Sequence, residues 1–473
     1  MRASDPALLS AARVLSYGDL ARAVEHGGRE IDERFAPGSR ILIAGYDQMV
    51  VALALLSALQ SQCVPLLVDP QSATELARVA GRWDVAGGVG DPKILGALDA
   101  VIDDTAVLGW TTAAGPGGAE LEPVHAGDPA FWTFTSGTTG EPRAVVHAHR
   151  GPRAAYEAFG RDVLSLAPTD RTASTAGLPF VYALGNNLFF PLLAGGSAIL
   201  PADLLLPTVL AEVRRHDATV LVSGPWSLEA MARLADRSDR GEALRRLRLV
   251  LSAGEPLAAS VFSRWQSAFG QTPLDNLGCT EMFNSFLSPR PEGALPGSLG
   301  HVVPGFEVRL GGQPPAAGRR GALTVRGESR AVAMSCDDGN DQIVETDGEW
   351  CETGDELEVD ETGRFTYLGR LDDRFKVRGQ FVRPAEVERR LRTLDGIREC
   401  LVSSETDDHG LACVSVRLVL GADYDAAEVL RAAGVAARQV LPAAARTLRL
   451  ERVEALPRSP RGKVLRERRA ASS

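Results

Sequence analysis

Short apolar runs that alternate with helical segments constrain the fold of this chain more than any other feature. Residues 41–44 are apolar, residues 49–59 show helical periodicity, and residues 64–68 are apolar again. This order is typical of a βαβ unit, whose two strands pair in parallel. The pattern predicts α/β subdomains that bind ligands at the carboxyl ends of their strands. Further apolar runs, separated by helical segments, follow at residues 130–134, 219–222, 247–251 and 274–277.

The pattern changes near residue 290, where Gly- and Pro-rich stretches separate short alternating strands. These strands predict a β-rich lobe and lie at residues 307–310, 322–326, 342–345 and 364–367. After residue 371 the chain resumes with helices at 384–394 and 426–440 and with strands between them, which predicts a small α+β domain of about a hundred residues. We therefore expect a large N-terminal α/β domain, residues 1–371, and a C-terminal domain, residues 372–473.

Composition excludes several classes of protein. The 473 residues are 45% hydrophobic and carry a net charge of -10, which is typical of a globular enzyme and not of a disordered chain. The acidic balance argues against nucleic acid as the main partner. We find no signal peptide and no apolar run of membrane-spanning length, and the six cysteines show no metal-ligand spacing. These features predict a cytoplasmic protein with reduced thiols and no membrane partner.

A loop rich in hydroxyl side chains and glycine carries the most specific signal. It directly follows an apolar strand and continues to Glu-Pro-Arg143. Hydroxyl groups interleaved with glycines let backbone and side-chain donors converge on phosphate oxygens. The stretch lacks the Lys-Ser/Thr ending of the familiar nucleotide loop, which argues against phosphoryl transfer of that type. We predict a phosphate-binding loop made by Thr135, Ser136, Gly137, Thr138, Thr139 and Gly140.

Further motifs follow in a fixed order, and together they resemble the adenylate-forming (ANL) superfamily. These enzymes include acyl-CoA synthetases and peptide-synthetase adenylation domains. The motifs are Ser-Ala-Gly-Glu-Pro at 252–256, Asn-Leu-Gly-Cys-Thr-Glu at 276–281, Thr-Gly-Asp at 353–355, Gly-Arg-Leu-Asp-Asp at 369–373 and Pro-Arg-Ser-Pro-Arg-Gly-Lys at 457–463. The matches span residues 134 to 463, and the βαβ unit extends the resemblance towards residue 40.

The resemblance implies a role for each motif. Asp355, a short acid on a loop, would accept hydrogen bonds from ribose hydroxyls, and Glu281, beside Thr280, would hold Mg²⁺ on the ATP phosphates. Asp372 would be the hinge about which a mobile C-terminal domain rotates. Rotation would bring Lys376 and Gly379 to a tunnel for the acyl acceptor. The remaining ATP- or AMP-binding residues would be Arg143, Ala253, Gly254, Glu255, Asn276, Leu277, Gly278 and Arg370.

Lys463 is the residue that we expect to matter most for catalysis, together with Thr280 and Glu281. The chain has 51 basic residues, of which only Lys93, Lys376 and Lys463 are lysines. Retention of a lysine at 463 indicates that a compact ammonium group is required where a planar guanidinium would not fit. A solvated lysine near the C-terminus is the alternative interpretation.

A second stretch indicates the acid that is activated. Residues 177–187 and 280–288 resemble the acid-pocket regions of benzoate-CoA ligases and related aryl-acid enzymes. Tyr182 stands where amino-acid adenylation domains carry an Asp, so the ammonium group of an α-amino acid would be left unpaired in a dry pocket. Packing in the core is the alternative role for any one of these side chains. The predicted pocket is lined by Phe180, Tyr182, Ala183, Asn186, Trp226 and Gly278.

The resemblance implies that the protein activates an aromatic carboxylic acid with ATP and passes the acyl group from acyl-AMP to a thiol. We expect ATP, Mg²⁺ and coenzyme A, or the phosphopantetheine of a carrier protein, to take part. A stand-alone adenylating enzyme of a natural-product pathway is the first alternative, with an acyl carrier protein or another nucleophile as acceptor. A non-catalytic nucleotide-binding regulatory protein is a weaker one, since it would not need Lys463, Glu281 and Asp355 together. The sequence leaves open whether the chain forms a homodimer.

Overall fold

A computed structural model gives the fold of this chain. It describes residues 2–70, 73–91, 94, 105–106, 123–136, 142–235, 241–335, 342–346, 348–378, 380–406, 412–421, 424–442, 445, 448–458 and 464–465.

The described strands, numbered in chain order, are β1 Pro6–Leu9, β2 Val14–Ser16, β3 Arg40–Ala44, β4 Val64–Leu67, β5 Gly87–Gly90, β6 Thr105–Ala106, β7 Pro129–Ser136, β8 Pro142–Ala148, β9 Arg171–Ser174, β10 Ser197–Ile199, β11 Val220–Ser223, β12 Leu249–Ser252, β13 Leu274–Asp275, β14 Leu277–Gly278, β15 Ser285–Ser288, β16 His301–Val302, β17 Glu307–Leu310, β18 Arg320–Arg326, β19 Ala333–Ser335, β20 Ile343–Glu345, β21 Cys351–Val359, β22 Phe365–Arg370, β23 Phe375–Val377, β24 Gln380–Val382, β25 Ile397–Thr406, β26 Ala412–Leu420 and β27 Leu448–Arg452.

The described α-helices are α1 Tyr17–Asp32, α2 Gln48–Gln60, α3 Ala73–Arg82, α4 Arg150–Ala155, α5 Val181–Leu184, α6 Phe190–Ala194, α7 Leu206–Arg215, α8 Pro225–Ala235, α9 Gly241–Arg245, α10 Ala259–Phe269, α11 Pro384–Leu391 and α12 Ala426–Val440. Helix α4 continues as a π-helix over Tyr156–Arg161, and α5 continues as one over Gly185–Phe189. Short 3₁₀ turns lie at Thr280–Met282 and Pro291–Gly293.

An eight-stranded mixed sheet contains the predicted βαβ unit. Its order is β20-β19-β8-β7-β4-β3-β5-β6. Strands β3 and β4 pair in parallel with Arg40 opposite Val64, and α2 connects them. The side chain of Asp47 caps α2 by accepting hydrogen bonds from the backbone N–H groups of Met49 and Val50. Helix α2 is apolar on nearly every face, and it is buried accordingly in the main core.

A seven-stranded sheet holds most of the later apolar runs. Its order is β13-β12-β11-β9-β10-β1-β2, and every neighbouring pair is parallel except β1 with β2. The carboxyl ends of β9, β11, β12 and β13 therefore lie along one edge. The predicted run at 274–277 is divided in the structure, since β13 belongs to this sheet whereas β14 begins a separate sheet with β15 and β16.

The predicted β-rich lobe is a four-stranded antiparallel sheet, in the order β17-β18-β21-β22. One predicted strand of the lobe lies elsewhere: β20 pairs with β19, and β19 pairs with β8 at the edge of the eight-stranded sheet. The alternating pattern at 342–345 identified a strand but not its partner, because edge pairing is set by tertiary packing.

The C-terminal part of the chain has its own core. Strands β25 and β26 are antiparallel, β27 lies parallel to β26, and helices α11 and α12 pack together beside them. A cluster of buried residues from Val377 to Ala445 fills this unit, and it is separate from the clusters formed by earlier residues. Among the described helices, none is both long enough and apolar enough to cross a lipid bilayer.

Candidate active site

The predicted phosphate loop connects the two strands of a hairpin. Strands β7 and β8 are antiparallel, with Thr135 opposite Arg143 and Ser136 opposite Pro142. Strand β7 thus extends two residues beyond the predicted run at its carboxyl end, and strand β8 follows the loop. Thr135 is half-buried at the end of β7, next to the loop.

Arg143, on a strand of the eight-stranded sheet, meets Glu281, in a turn that follows β14. The guanidinium group of Arg143, on β8, donates a hydrogen bond to the carboxylate of Glu281 in the 3₁₀ turn Thr280–Met282. Both side chains are largely but not completely buried. The contact brings the end of the phosphate loop and the predicted metal ligand together, although 138 residues separate them in sequence.

A strained backbone fixes the turn that carries Glu281. Phe283 directly follows this turn and has a φ of 64°, which is rare for a bulky residue. Its ring is fully buried against Phe131, His147 and Phe190. Such a conformation persists only when surrounding packing over-determines it, and it is common at functional sites. No sequence signal marked this residue.

The predicted ribose acid lies in a strand and not on a loop. Asp355 is part of β21, stands opposite Arg370 of β22, and is 5% exposed. Burial raises the pKa of Asp355 above its ordinary value, while the nearby Arg370 guanidinium acts in the opposite direction. Tyr367 donates a hydrogen bond of 3.4 Å to the same carboxylate. Gly354 has a φ of 74°, so the Thr-Gly-Asp motif needs glycine at its centre.

The adenine-side residues lie at the carboxyl edge of the seven-stranded sheet. The backbone N–H of Ala253 donates to the Ser223 carbonyl at 3.3 Å, and that of Asn276 donates to the Ser252 carbonyl at 2.8 Å. Gly254 is exposed and Glu255 is half-buried. The alternation of strands and helices predicted ligand binding at the carboxyl ends of the strands. The two predicted nucleotide motifs lie side by side at this edge of the seven-stranded sheet.

One hydrogen bond joins the predicted acid pocket to the nucleotide motifs. The amide nitrogen of Asn276 donates to the Tyr182 hydroxyl at 3.1 Å, and Asn276 also accepts a bond of 2.6 Å from Ser288. Burial raises the pKa of the Tyr182 phenol well above its ordinary value, so this group is neutral. Tyr182 is thus a fixed polar group between the two parts of the site.

Asn186 is fully buried in the π-helix that continues α5. Its amide nitrogen donates to the Tyr182 carbonyl at 2.9 Å and to the Asn284 side chain at 3.1 Å. Asn284 was not among the predicted site residues, and only its place in the 280–288 stretch pointed to it. Gly278 allows the close approach of β14 to β15, since an added Cβ would lie 2.4 Å from the Asn284 carbonyl oxygen.

The other predicted pocket residues differ in exposure. Ala183 is fully buried, and Leu277 packs against the main core. Phe180 is half-buried and occupies the position directly before α5. Trp226 lies in the first turn of α8, after β11, and is 50% exposed. Their contacts with an acid stay a prediction.

Two of the predicted site residues in the C-terminal part of the chain, Asp372 and Lys376, are exposed to solvent. Asp372, at the predicted hinge, is exposed and accepts a hydrogen bond of 3.3 Å from Arg370. Lys376 lies on β23 with its ammonium group 4.7 Å from the centre of the Phe381 ring, in a cation–π contact. Outside the described residues lie Gly137, Thr138, Thr139, Gly140, Gly379 and Lys463.

Three further groups, His147, Cys279 and Cys351, lie beside the predicted site residues. His147 stacks on Phe131 and shares a hydrogen bond of 3.0 Å with Thr133, and burial lowers its pKa to about 3. The neighbouring Cys351 thiol, together with burial, raises the pKa of Cys279 well above its usual range. This thiol pair links the Asn-Leu-Gly-Cys-Thr-Glu motif to the strand that carries Asp355. The scattered cysteine pattern gave no sign of it.

Comparison with known proteins agrees with this geometry. The model of the family described as "AMP-binding enzyme" matches residues 1–334. A benzoate–CoA ligase from Thauera aromatica is 35% identical over 488 residues, which cover 95% of this chain and 89% of that protein. The crystal structure of the anthranilate CoA ligase AuaEII in complex with anthranoyl-AMP superposes with a TM-score of 0.86 at 25% identity, covering 98% of this chain and 93% of the other.

A third similar protein differs in its named product. The p-hydroxybenzoic acid–AMP ligase FadD22 from Mycobacterium tuberculosis is 31% identical over 473 residues, or 96% of this chain, which spans 65% of that protein's length. The parallel sheets and the nucleotide motifs at their edge define an adenylate-forming α/β enzyme. The chain belongs to the AMP-binding enzyme family of the ANL superfamily. Its named relatives include benzoate and other aryl-acid ligases.

Proposed function

We propose that this protein activates an aromatic carboxylic acid with ATP and transfers the acyl group to coenzyme A. The observation that carries the proposal is the hydrogen bond between Tyr182 and Asn276, because it joins a residue of the predicted acid pocket to a residue of the predicted nucleotide motif. ATP and coenzyme A are the substrates expected of a CoA ligase in this family, and the ligases of benzoate and anthranilate named above favour an aromatic acid.

In the first half-reaction, a carboxylate oxygen of the acid attacks the α-phosphorus of ATP and the bond to the β-phosphate oxygen breaks. The products are acyl-AMP and pyrophosphate. Negative charge accumulates on the phosphate oxygens, and preorganised donors stabilise it best in a site that excludes water. The loop from Thr135 to Gly140 supplies such donors, and Arg143 supplies a positive charge at its end. Asp355 binds the ribose hydroxyls and so fixes the direction of attack.

Glu281 is the residue that would hold Mg²⁺. Its donor set fits the ion, because a carboxylate oxygen is a hard ligand and Mg²⁺ commonly uses one or two carboxylates together with substrate phosphates. Among the described residues, no group of three or more His, Cys, Asp or Glu side chains is placed to hold a metal ion. When bound, the ion would neutralise charge on the ATP phosphates. The contact with Arg143 positions the Glu281 carboxylate for this role.

In the second half-reaction, the thiol of coenzyme A attacks the carbonyl carbon of acyl-AMP. The carbon–oxygen bond to AMP breaks, the thiol proton is released, and the thioester forms. We infer that a C-terminal domain beginning after residue 371 rotates about Asp372 between the two half-reactions. Rotation withdraws Lys463, which serves the first step, and presents Lys376 and Gly379 to the incoming pantetheine. A separate C-terminal core supports this division.

Release of the acyl-AMP to another acceptor is the second candidate function. The named product of the mycobacterial relative, a p-hydroxybenzoic acid–AMP ligase, favours it. In that case the acceptor is the phosphopantetheine of an acyl carrier protein or another nucleophile.

Acid-dependent exchange of labelled pyrophosphate into ATP tests the shared first step. The purified protein is offered benzoic, hydroxybenzoic, aminobenzoic, cinnamic and aliphatic acids. We expect exchange with aromatic acids and little with aliphatic ones; exchange only with aliphatic or amino acids would contradict the aromatic assignment. Thioester formation from the best acid with coenzyme A then separates the two candidate functions.

A further inference from the structure

A hydrogen bond joins the predicted adenine-side loop, residues 252–256, to a described residue near the C-terminal end of the chain. The backbone N–H of Val464 donates to Oε1 of Glu255 at 2.9 Å, across 209 residues of sequence. Val464 directly follows Lys463, the predicted catalytic residue, and Glu255 belongs to the predicted adenine-side loop. The contact therefore connects the neighbour of the predicted catalytic lysine to the loop that is predicted to bind the nucleotide.

The loop that presents Glu255 is held on both sides. Two residues earlier, Ala253 donates to the Ser223 carbonyl at 3.3 Å. Two residues later, Leu257 donates to the Asp275 carboxylate at 3.2 Å, and its side chain is buried in the core. Glu255 is thus carried on a rigid support, and its carboxylate can fix the position of a partner.

The C-terminal partner is a short hairpin with its own anchor. Arg458 and Val464 form an antiparallel bridge, and the Leu465 N–H donates to the Pro457 carbonyl at 2.8 Å. Arg458 also forms an ion pair of 2.6 Å with Glu399 on β25. Arg458 therefore holds the hairpin to the C-terminal unit, and Val464 holds it to the adenine-side loop.

We propose that Glu255 is a positioning residue: its hydrogen bond to Val464, the neighbour of Lys463 in sequence, holds this hairpin at the adenine-side loop for acyl-AMP formation. A carboxylate that accepts a backbone N–H makes a charge-assisted hydrogen bond, which is stronger than a neutral one. The bond uses a backbone donor, so it depends on the geometry of the hairpin and not on the side chain of Val464. The inference rests on the proposed function: rotation for the thiol step breaks the bond, so Glu255 assists the first half-reaction selectively.

Glu255→Ala and Glu255→Gln test this role, with exposed Glu361→Gln as the matched control. Loss of a hydrogen bond to a charged group lowers the rate by about ten- to a hundred-fold. We therefore expect Glu255→Ala to reduce acid-dependent pyrophosphate exchange by this factor through kcat, with little change in KM for ATP. Thiolysis of supplied acyl-AMP falls much less. Glu255→Gln, which keeps an acceptor oxygen, loses less exchange than Glu255→Ala, and Glu361→Gln behaves as the wild type.

Hydrogen–deuterium exchange of the peptide spanning residues 457–465 gives a readout besides activity, with faster exchange expected in Glu255→Ala than in the wild type. Full exchange of pyrophosphate in Glu255→Ala overturns the proposal. Equal losses in exchange and thiolysis also overturn it, because they indicate a nucleotide-binding role alone. If the wild type itself shows no acid-dependent exchange, the proposed function fails, and the docking role fails with it.

Discussion

The guanidinium of Arg143 donates a hydrogen bond to the carboxylate of Glu281, and this contact connects the end of the phosphate loop to the predicted metal ligand. Arg143 lies on a strand of the eight-stranded sheet and Glu281 in the 3₁₀ turn between β14 and β15, so neither side chain can shift without disturbing the other. The arrangement aligns a cation and an anion at the place where ATP phosphates and Mg²⁺ would meet. We therefore propose that Arg143 both supplies positive charge to the phosphates and supports Glu281.

Glu281→Gln should lower kcat for pyrophosphate exchange by about a hundred-fold, which is the usual cost of removing one preorganised electrostatic group. Arg143→Lys keeps the positive charge but loses the planar guanidinium donor, so kcat should fall less than in Glu281→Gln. Steady-state exchange at saturating Mg²⁺ measures both, with exposed Glu292→Gln as control. Wild-type activity in Glu281→Gln would remove Glu281 from the mechanism.

Tyr182→Phe should raise KM for the aromatic acid several-fold and leave KM for ATP nearly unchanged. The substitution deletes the acceptor of the Asn276 amide, and a buried donor left without its partner costs about 1–3 kcal/mol of stability. Substrate titration and thermal unfolding check the two effects. Tyr46→Phe, at an exposed tyrosine, should show neither. A larger effect on KM for ATP than for the acid would contradict the assignment of Tyr182 to the acid pocket.

Lys463→Ala should reduce pyrophosphate exchange by at least a hundred-fold while thiolysis of supplied acyl-AMP is largely retained. The reason is that the ammonium group stabilises charge only in the first half-reaction. Lys93→Ala, at another of the few lysines, should behave as the wild type. Equal loss of both half-reactions in Lys463→Ala would contradict rotation of the C-terminal domain.

His147 should make the fold sensitive to acid. Its pKa is lowered to about 3 by burial, against an ordinary value near 6.5. As the pH falls below about 6.5, the unfolded chain binds a proton that folded His147 does not, so the free energy of unfolding decreases by up to about 1.4 kcal/mol per pH unit. The loss should continue until the pH reaches the folded pKa.

Urea unfolding at pH 7.5, 6.5 and 5.5 measures this loss. His147→Gln should flatten the pH dependence, whereas His125→Gln, at an exposed histidine, should leave it unchanged. Parallel profiles for the wild type and His147→Gln would show that His147 does not titrate on unfolding.

Hydrophobic patterning predicted most of the fold because strand and helix periodicities are local properties of the chain. Strand β17 and helix α12 have the predicted bounds, and the βαβ unit of β3, α2 and β4 is confirmed. Two predictions were wrong: β20 does not belong to the β-rich lobe, and Asp355 lies in a strand and not on a loop. Both features depend on pairing between segments that are distant in sequence, and the periodicity of one segment gives no information about its pairing partner.

The candidate site divides in the same way. Motif order predicted Arg143, Glu281, Asn276 and Asp355 as site residues, since hydroxyl-, glycine- and acid-rich loops have distinctive composition, and their roles stay predictions. Contacts such as Cys279 with Cys351, or Val464 with Glu255, join segments far apart in sequence and involve a thiol pair and a backbone group. Such contacts leave no trace in composition, and only the folded structure shows them.

The central claim is that ATP is cleaved between its α- and β-phosphates to form a mixed anhydride with an aromatic acid. Separation of the nucleotide products after incubation with ATP, Mg²⁺, an aromatic acid and coenzyme A tests it most directly. The account predicts AMP and pyrophosphate in amounts equal to the thioester formed, and none without the acid. Formation of ADP and orthophosphate would contradict it.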